Sequence, residues 1–160
     1  MPVAIVLGSK SDLNVAKAAG ETFKELGISY SFHIASAHRS PRHLQELVEG
    51  SFAEVFIGIA GLSAALPGAI AAHTTRPVIG VPVSGKVNLD AILSIVQMPP
   101  GIPVAAVGLD AGVNAALLAA EILALKDPSL AEKLRVRRKD MQEKLIADEL
   151  ELENVWCSPD

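Results

Sequence analysis

Two kinds of segment alternate along the chain. Short apolar runs rich in Val and Ile, at Val3–Leu7, Ile28–Ala35, Val55–Ile59, Pro77–Val83 and Pro103–Val107, read as five strands. Between them, apolar residues recur at helical spacing near Asp12–Leu26, Pro41–Glu49, Ser63–Thr74, Leu89–Val96 and Gly112–Leu125. Strand, helix, strand repeated to the end implies a parallel sheet covered by helices on both faces. The expected fold is a three-layer α/β domain with a five-stranded parallel sheet in the order 2-1-3-4-5, the flavodoxin-like (Rossmann-like) arrangement.

Two features exceed a plain five-stranded domain. Gly112–Leu125 is apolar nearly all round, and a helix without a polar face is buried on all sides. In so small a domain the cover for one side is expected from another subunit, so a homo-oligomer follows. After Asp127-Pro128 a charged helix runs to about Leu152, with Leu130, Leu134, Met141 and Leu145 close to one stripe. That stripe suits docking either on its own domain or on a neighbour. The boundaries are therefore 1–126 for the α/β domain and 127–160 for a helical extension and tail.

Composition narrows the function classes. A chain of 160 residues, half of them hydrophobic, can bury a core without metals or disulfides, and 4% aromatic content leaves that core to Ala, Val, Ile and Leu. A net charge of −4 argues against a nucleic-acid surface, though not against one small anion in a local pocket. The lone cysteine, Cys157, cannot form an intrachain disulfide and suits a reducing cytoplasm. Met1–Leu7 lacks a basic leader region and is too short to span a bilayer, so no membrane partner is expected.

In open parallel sheets, ligands bind at the carboxyl ends of the strands, where the winding reverses. Polar residues follow the first four strands at Gly8–Asp12 (GSKSD), Ser36–Arg39 (SAHR), Ala60–Ser63 (AGLS) and Pro82–Gly85 (PVSG). Gly8 lets backbone approach closely, and amides at a helix start favour an anion. Ser9 and Ser11 can donate to phosphate oxygens, and Asp12 can accept from ribose hydroxyls; alternatively Ser11 or Asp12 is simply a helix cap. This loop is neither a Walker motif nor GxGxxG. His38 should face it across the crevice, and an imidazole with an ordinary pKa of about 6.5 suits proton transfer near neutrality. A histidine at a strand end is, however, often structural. Arg39 can grip phosphate with its planar fork or serve in a surface ion pair. His33, His43 and His73 lack zinc-ligand spacing, so no metal is expected. The small residues from Ala60 to Gly68 suit either a ring pressed against a helix start or tight helix–sheet packing.

At these residues the sequence resembles the PurE family, the carboxyaminoimidazole ribonucleotide mutases of purine biosynthesis. The matching stretches are GSKSD (8–12), SAHRSP (36–41), LPG (66–68), SIVQMPPGIPV (94–104) and NAALLAAEIL (114–123), in family order over roughly residues 3–126. The resemblance implies the same fold, a homo-octamer, no cofactor, and a reaction that moves a carboxylate from N5 to C4 of an imidazole ribonucleotide through enclosed CO2. It implies that His38 is the catalytic proton shuttle. Ser9, Ser11, Asp12 and Arg39 would hold phosphate and ribose, with Gly8 and Ser36 beside them. Ala60, Gly61 and Leu66 would enclose the ring and the CO2.

One position departs from the pattern. The mutase branch usually has His before Leu-Pro-Gly, where this chain has Ala65. The related carboxylase branch, which takes free CO2 and the unmodified aminoimidazole ribonucleotide, has a non-His residue there but tends to have Lys where this chain has Arg39. Arg39, Pro67 and SIVQMPPGIPV rank the mutase ahead of the carboxylase. A non-catalytic nucleotide-binding module on the same fold is the remaining alternative; it would need no proton-transfer group.

Overall fold

The computed structural model describes residues 1–156, and Cys157 lies outside the described residues. The elements are β1 (Val3–Leu7), α1 (Leu13–Leu26), β2 (Tyr30–Ile34), α2 (Pro41–Glu49), β3 (Val55–Ala60), α3 (Leu66–Ala71), β4 (Val78–Pro82), α4 (Asn88–Val96), β5 (Ala105–Ala106), α5 (Gly112–Ala124) and α6 (Pro128–Trp156). The five strands are parallel in the order β2-β1-β3-β4-β5, as the alternation predicts. β1, β3 and β4 are buried along their whole length, which is why they read as unbroken apolar runs. The winding reverses at β1, between β2 and β3, and opens a crevice at the carboxyl ends there.

The chain separates into two compact units, Met1–Ile122 and Leu123–Asp160. In the first, Ala4, Val6, Phe56 and Val78 of the sheet pack with Leu44 and Val48 of α2, Leu66 and Ile70 of α3, and Ala91 and Ile95 of α4. Val3, Ile5 and Leu7 alternate to the opposite face. α1 buries Val15, Ala16, Ala19, Phe23 and Leu26, then ends at Gly27 in the left-handed region (φ 75°), whose N–H reaches back to the last-turn carbonyls.

A pair of glycines sets how closely α3 approaches the sheet. Gly58 of β3 and Gly80 of β4 are register partners. A Cβ built on Gly58 would lie 3.1 Å from Pro67, and one on Gly80 would lie 3.1 Å from Pro67 and 2.5 Å from Ile95. The bare backbone at this pair lets the start of α3 lie almost on the strands, which brings Leu66 to the sheet's carboxyl end.

Two elements lose half or more of the length their periodicity suggests. α3 begins at Leu66 rather than Ser63, because Ser63 has φ 46° and cannot continue a right-handed helix. β5 keeps only Ala105–Ala106, paired with Ile79 and Gly80; Pro103 has no N–H to offer a ladder. α5 buries Gly112, Ala115, Ala116, Ala119 and Ala120, but Val113 and Leu125 are exposed in the single chain. That exposed side is the one for which cover from another subunit is expected.

In the second unit, the Asp127 carboxylate accepts from the Ser129 hydroxyl (2.7 Å), the Ser129 amide (2.9 Å) and the Leu130 amide (3.2 Å), capping α6 ahead of Pro128. The Ser129 hydroxyl is the main reason this carboxyl titrates below its ordinary range, with the two amides adding to it. Ion pairs Arg135–Glu132 (2.8 Å) and Lys139–Glu143 (3.3 Å) suit a solvated helix surface. Met141 and Leu145 of the anticipated stripe are exposed, whereas Leu130 is buried. Among the described residues no helix is long and apolar enough to cross a membrane.

Gly112 joins α5 to α1, because a Cβ there would collide with the Val15 carbonyl, a backbone group that cannot swing aside. Gly112→Ala is expected to lower unfolding free energy by about 1–3 kcal/mol, as overpacking does, measured by urea denaturation.

Candidate active site

The loops after β1, β2, β3 and β4 surround one cavity of about 530 Å³, within the size range of small-molecule sites. All ten residues singled out from the sequence line it: Gly8, Ser9, Ser11, Asp12, Ser36, His38, Arg39, Ala60, Gly61 and Leu66. A second cavity, about 750 Å³, sits among the segments that precede β4 and β5, near His73, Glu49 and Arg76. It is the larger of the two, but it lies at the amino ends of the strands, away from the crevice.

The first loop is tied together by a buried carboxylate. Asp12 accepts from the Ser9 amide through Oδ2 (2.9 Å) and from the Ser11 hydroxyl through Oδ1 (3.1 Å). The Ser9 and Ser11 hydroxyls are 2.5 Å apart. Ser9 caps a short 3-10 turn, Lys10–Asp12, with Asp12 returning the bond, so a reciprocal capping box stands ahead of α1. The cap is Ser9, where the sequence offered Ser11 or Asp12; Asp12 precedes α1 without a side-chain cap bond of its own, and the loop also faces the cavity. The amides of Ser9, Ser11 and Asp12 already have partners within the loop. The Ser9 and Ser11 hydroxyls, now engaged with each other and with Asp12, are donors that can turn to an anion by rotation about one bond.

Arg39 locks the second loop to the first. Its Nη2 donates to the Gly8 carbonyl (2.8 Å) and its Nε to the Ser36 hydroxyl (3.3 Å). A guanidinium has five N–H donors, so this fork can hold both loops and still present N–H groups to an anion. Neither of the earlier readings of Arg39 included the carbonyl of Gly8 as a partner, because 31 residues separate the two in the chain. His38 sits at the exposed apex of this loop and lines the cavity.

The remaining walls come from the loops after β3 and β4. Leu62, Ser63, Val83, Ser84, Gly85, Lys86 and Val87 also line the cavity. Asp90 in the first turn of α4 accepts from the Ser63 amide (3.1 Å), and Asp110 accepts from the Ser84 amide (2.8 Å). Lys86 escaped the sequence reading; its signal was a cation placed just past the polar PVSG run. Ala65, the position that departs from the family pattern, is half-buried at the start of α3 and lies outside the lining.

The other histidines have local roles. His33 Nε2 lies 2.8 Å from the Ser31 hydroxyl, and burial, with the nearby charge of His43 second, pushes its pKa below the ordinary value. His73 pairs with Glu49 at 3.7 Å beside the second cavity.

Fold and cavity together define a flavodoxin-like α/β protein with a cavity of small-molecule size at the carboxyl ends of its strands. A family model described as AIR carboxylase matches residues 2–144. The chain is 52% identical over 155 residues to the N5-carboxyaminoimidazole ribonucleotide mutase of Methanocaldococcus jannaschii, covering 96% of this chain and 99% of that protein. It is 50% identical over 145 residues to the N5-carboxyaminoimidazole ribonucleotide mutase of Pyrococcus abyssi, covering 88% of this chain and 83% of the relative. The crystal structure of Treponema denticola PurE superposes with a TM-score of 0.87 at 32% identity, over 94% of this chain and 98% of that one. This chain belongs to the AIR carboxylase family, the PurE proteins.

If the hydroxyls and the Arg39 fork form an anion cradle, ribose 5-phosphate should bind and Arg39→Ala should weaken it. The expected loss is about tenfold or more, the worth of a charge-assisted hydrogen bond, read by calorimetric titration.

Proposed function

We propose that this chain is an N5-carboxyaminoimidazole ribonucleotide mutase of purine biosynthesis, an isomerase that needs no cofactor. The observation that carries this reading is the shared cavity: an imidazole and a serine-rich cradle open on the same space in a chain with 52% identity to a curated mutase.

In the proposed reaction, Ser9, Ser11 and Arg39 hold the phosphate, with Gly8 and Ser36 shaping the cradle. Asp12 stays fixed by the Ser9 amide while the two hydroxyls turn from it to the ligand, freeing carboxylate lone pairs for ribose. His38, as imidazolium, gives a proton to N5 as the N5–carboxylate bond breaks, which releases CO2 and the neutral amine. Ring C4 then attacks the CO2, and His38, now neutral, removes the C4 proton. The imidazolium is restored and no net proton is consumed. Ala60, Gly61 and Leu66 enclose the ring and the CO2. Holding CO2 against C4 avoids a new bimolecular encounter, and excluding water keeps it from escaping.

Ala65 supports one rival, the carboxylase that takes aminoimidazole ribonucleotide and free CO2. The two part on substrate supply: the mutase turns over N5-carboxyaminoimidazole ribonucleotide without bicarbonate, and the carboxylase turns over the aminoimidazole ribonucleotide with it. Under the proposal the first assay gives product and the second gives little at the same enzyme concentration; the reverse outcome assigns the carboxylase. His38→Asn should lower turnover by about 10²–10⁴-fold, the usual weight of a general acid–base, with circular dichroism unchanged. A non-catalytic module would lose nothing by the same change.

The reading extends to assembly and place. We infer a homo-octamer working in the cytoplasm. Exposed Val113 on α5, with Leu89, Leu93 and Val96 on α4, supplies apolar surface for subunit contacts. Sedimentation at micromolar concentration should give a particle near eight chains; a clean monomer would contradict it.

A further inference from the structure

The geometry points to Asp90 as a positioning residue for the cavity, one that acts through the backbone of Ser63 and touches no ligand itself. This deepens the mutase reading and rests on it.

Ser63 is one of two non-glycine residues with positive φ among the described residues, at 46°. L-residues adopt that region at a cost, and they hold it only where surrounding contacts over-determine it. The contacts are few and specific. The Ser63 carbonyl accepts from the Ala65 amide (2.5 Å), closing a tight turn. The Ser63 amide donates to Asp90 Oδ2 (3.1 Å), across 27 residues of chain. Asp90 is half-buried in the first turn of α4, where the helix dipole favours its charge, and α4 is anchored to the sheet by Ala91 and Ile95. A helix anchored to the sheet thus reaches out to a loop. Its hold falls in the middle of the wall formed by Gly61, Leu62, Ser63 and Leu66.

Asp110 repeats the device one loop further on. It has the other positive φ, 56°, and accepts from the Ser84 amide at 2.8 Å. In both cases a carboxylate from the next connection holds the amide of a serine on the preceding cavity loop. Asp90 is the sharper test, because the strain sits on the cavity residue itself.

With Asp90 gone, Ser63 relaxes towards an ordinary backbone region and the wall shifts relative to ring and CO2. A loss of orientation falls on turnover more than on ground-state binding, and a misplacement of about 1 Å costs up to about 10²-fold. Asp90→Ala should therefore lower kcat by about tenfold or more while KM moves by less than about threefold. Asp90→Asn keeps an acceptor oxygen at the same reach and should recover most of that loss. Ser63→Gly added to Asp90→Ala should raise kcat above that of Asp90→Ala alone, since glycine takes positive φ without strain. Hydrogen exchange at the Ser63 amide reads the tether without any assay: it should be faster in Asp90→Ala than in wild type and slow again in Asp90→Asn.

The inference is overturned if Asp90→Ala keeps wild-type kcat, if Asp90→Asn is as damaged as Asp90→Ala, which would mean the charge matters and not the acceptor, or if Ser63 exchange is the same in all three. A wild-type chain that fails to turn over the ribonucleotide sinks the functional reading instead, and the exchange comparison still decides the tether.

Discussion

A buried carboxylate at the end of the first strand organises the rest of the site. Asp12 is 5% exposed, and its two oxygens fasten Ser9 and Ser11 at the point where the sheet's winding reverses. Burying a charge is tolerable only when hydrogen bonds replace its water, and here the replacements are the two serines that would meet an anion. The cost of burying Asp12 and the pre-arrangement of the cradle are therefore one fact. Arg39 extends the arrangement by tying the Gly8 carbonyl to Ser36, so that the loop bearing His38 cannot drift from the cradle independently.

Packing far from polar atoms supports that arrangement. Gly58 and Gly80 lie side by side in the two central strands and admit Pro67, so α3 starts almost on the sheet and Leu66 reaches the cavity. An alanine at Gly58 would press on Pro67 and Ile70 of α3, and one at Gly80 on Ile95 of α4 and then Pro67, although neither glycine lines the cavity. Within Ala60–Gly68, Ala64 is fully buried in the core while Ala60 and Gly61 line the cavity, so packing and cavity shape draw on one stretch of small residues.

Much of this was legible in the residues because it is local. Continuous apolar runs mark strands buried on both faces, and polar loops following strands mark the crevice. The family resemblance added roles that periodicity does not carry. What escaped was non-local. Nothing near Arg39 names Gly8 as its partner, and nothing near Ser63 names Asp90, since each contact depends on how strands far apart in the chain are ordered. The true start of α3 was hidden for the same reason: Ser63 fits a helical pattern, and its departure from one goes with a contact to Asp90 far along the chain. The shortness of β5 is an edge effect, with Pro103 visible in the sequence but its weight decided by having a neighbour on one side only.

The central claim is that phosphate recognition and proton transfer meet across a single crevice. A crystal structure of the His38→Asn chain soaked with N5-carboxyaminoimidazole ribonucleotide tests it most directly. The account predicts phosphate oxygens within hydrogen-bond reach of the Ser9 and Ser11 hydroxyls and the Arg39 fork, with the imidazole ring of the ligand against residue 38. A nucleotide bound elsewhere, or with its ring turned away from residue 38 while its phosphate sits in the cradle, would contradict it.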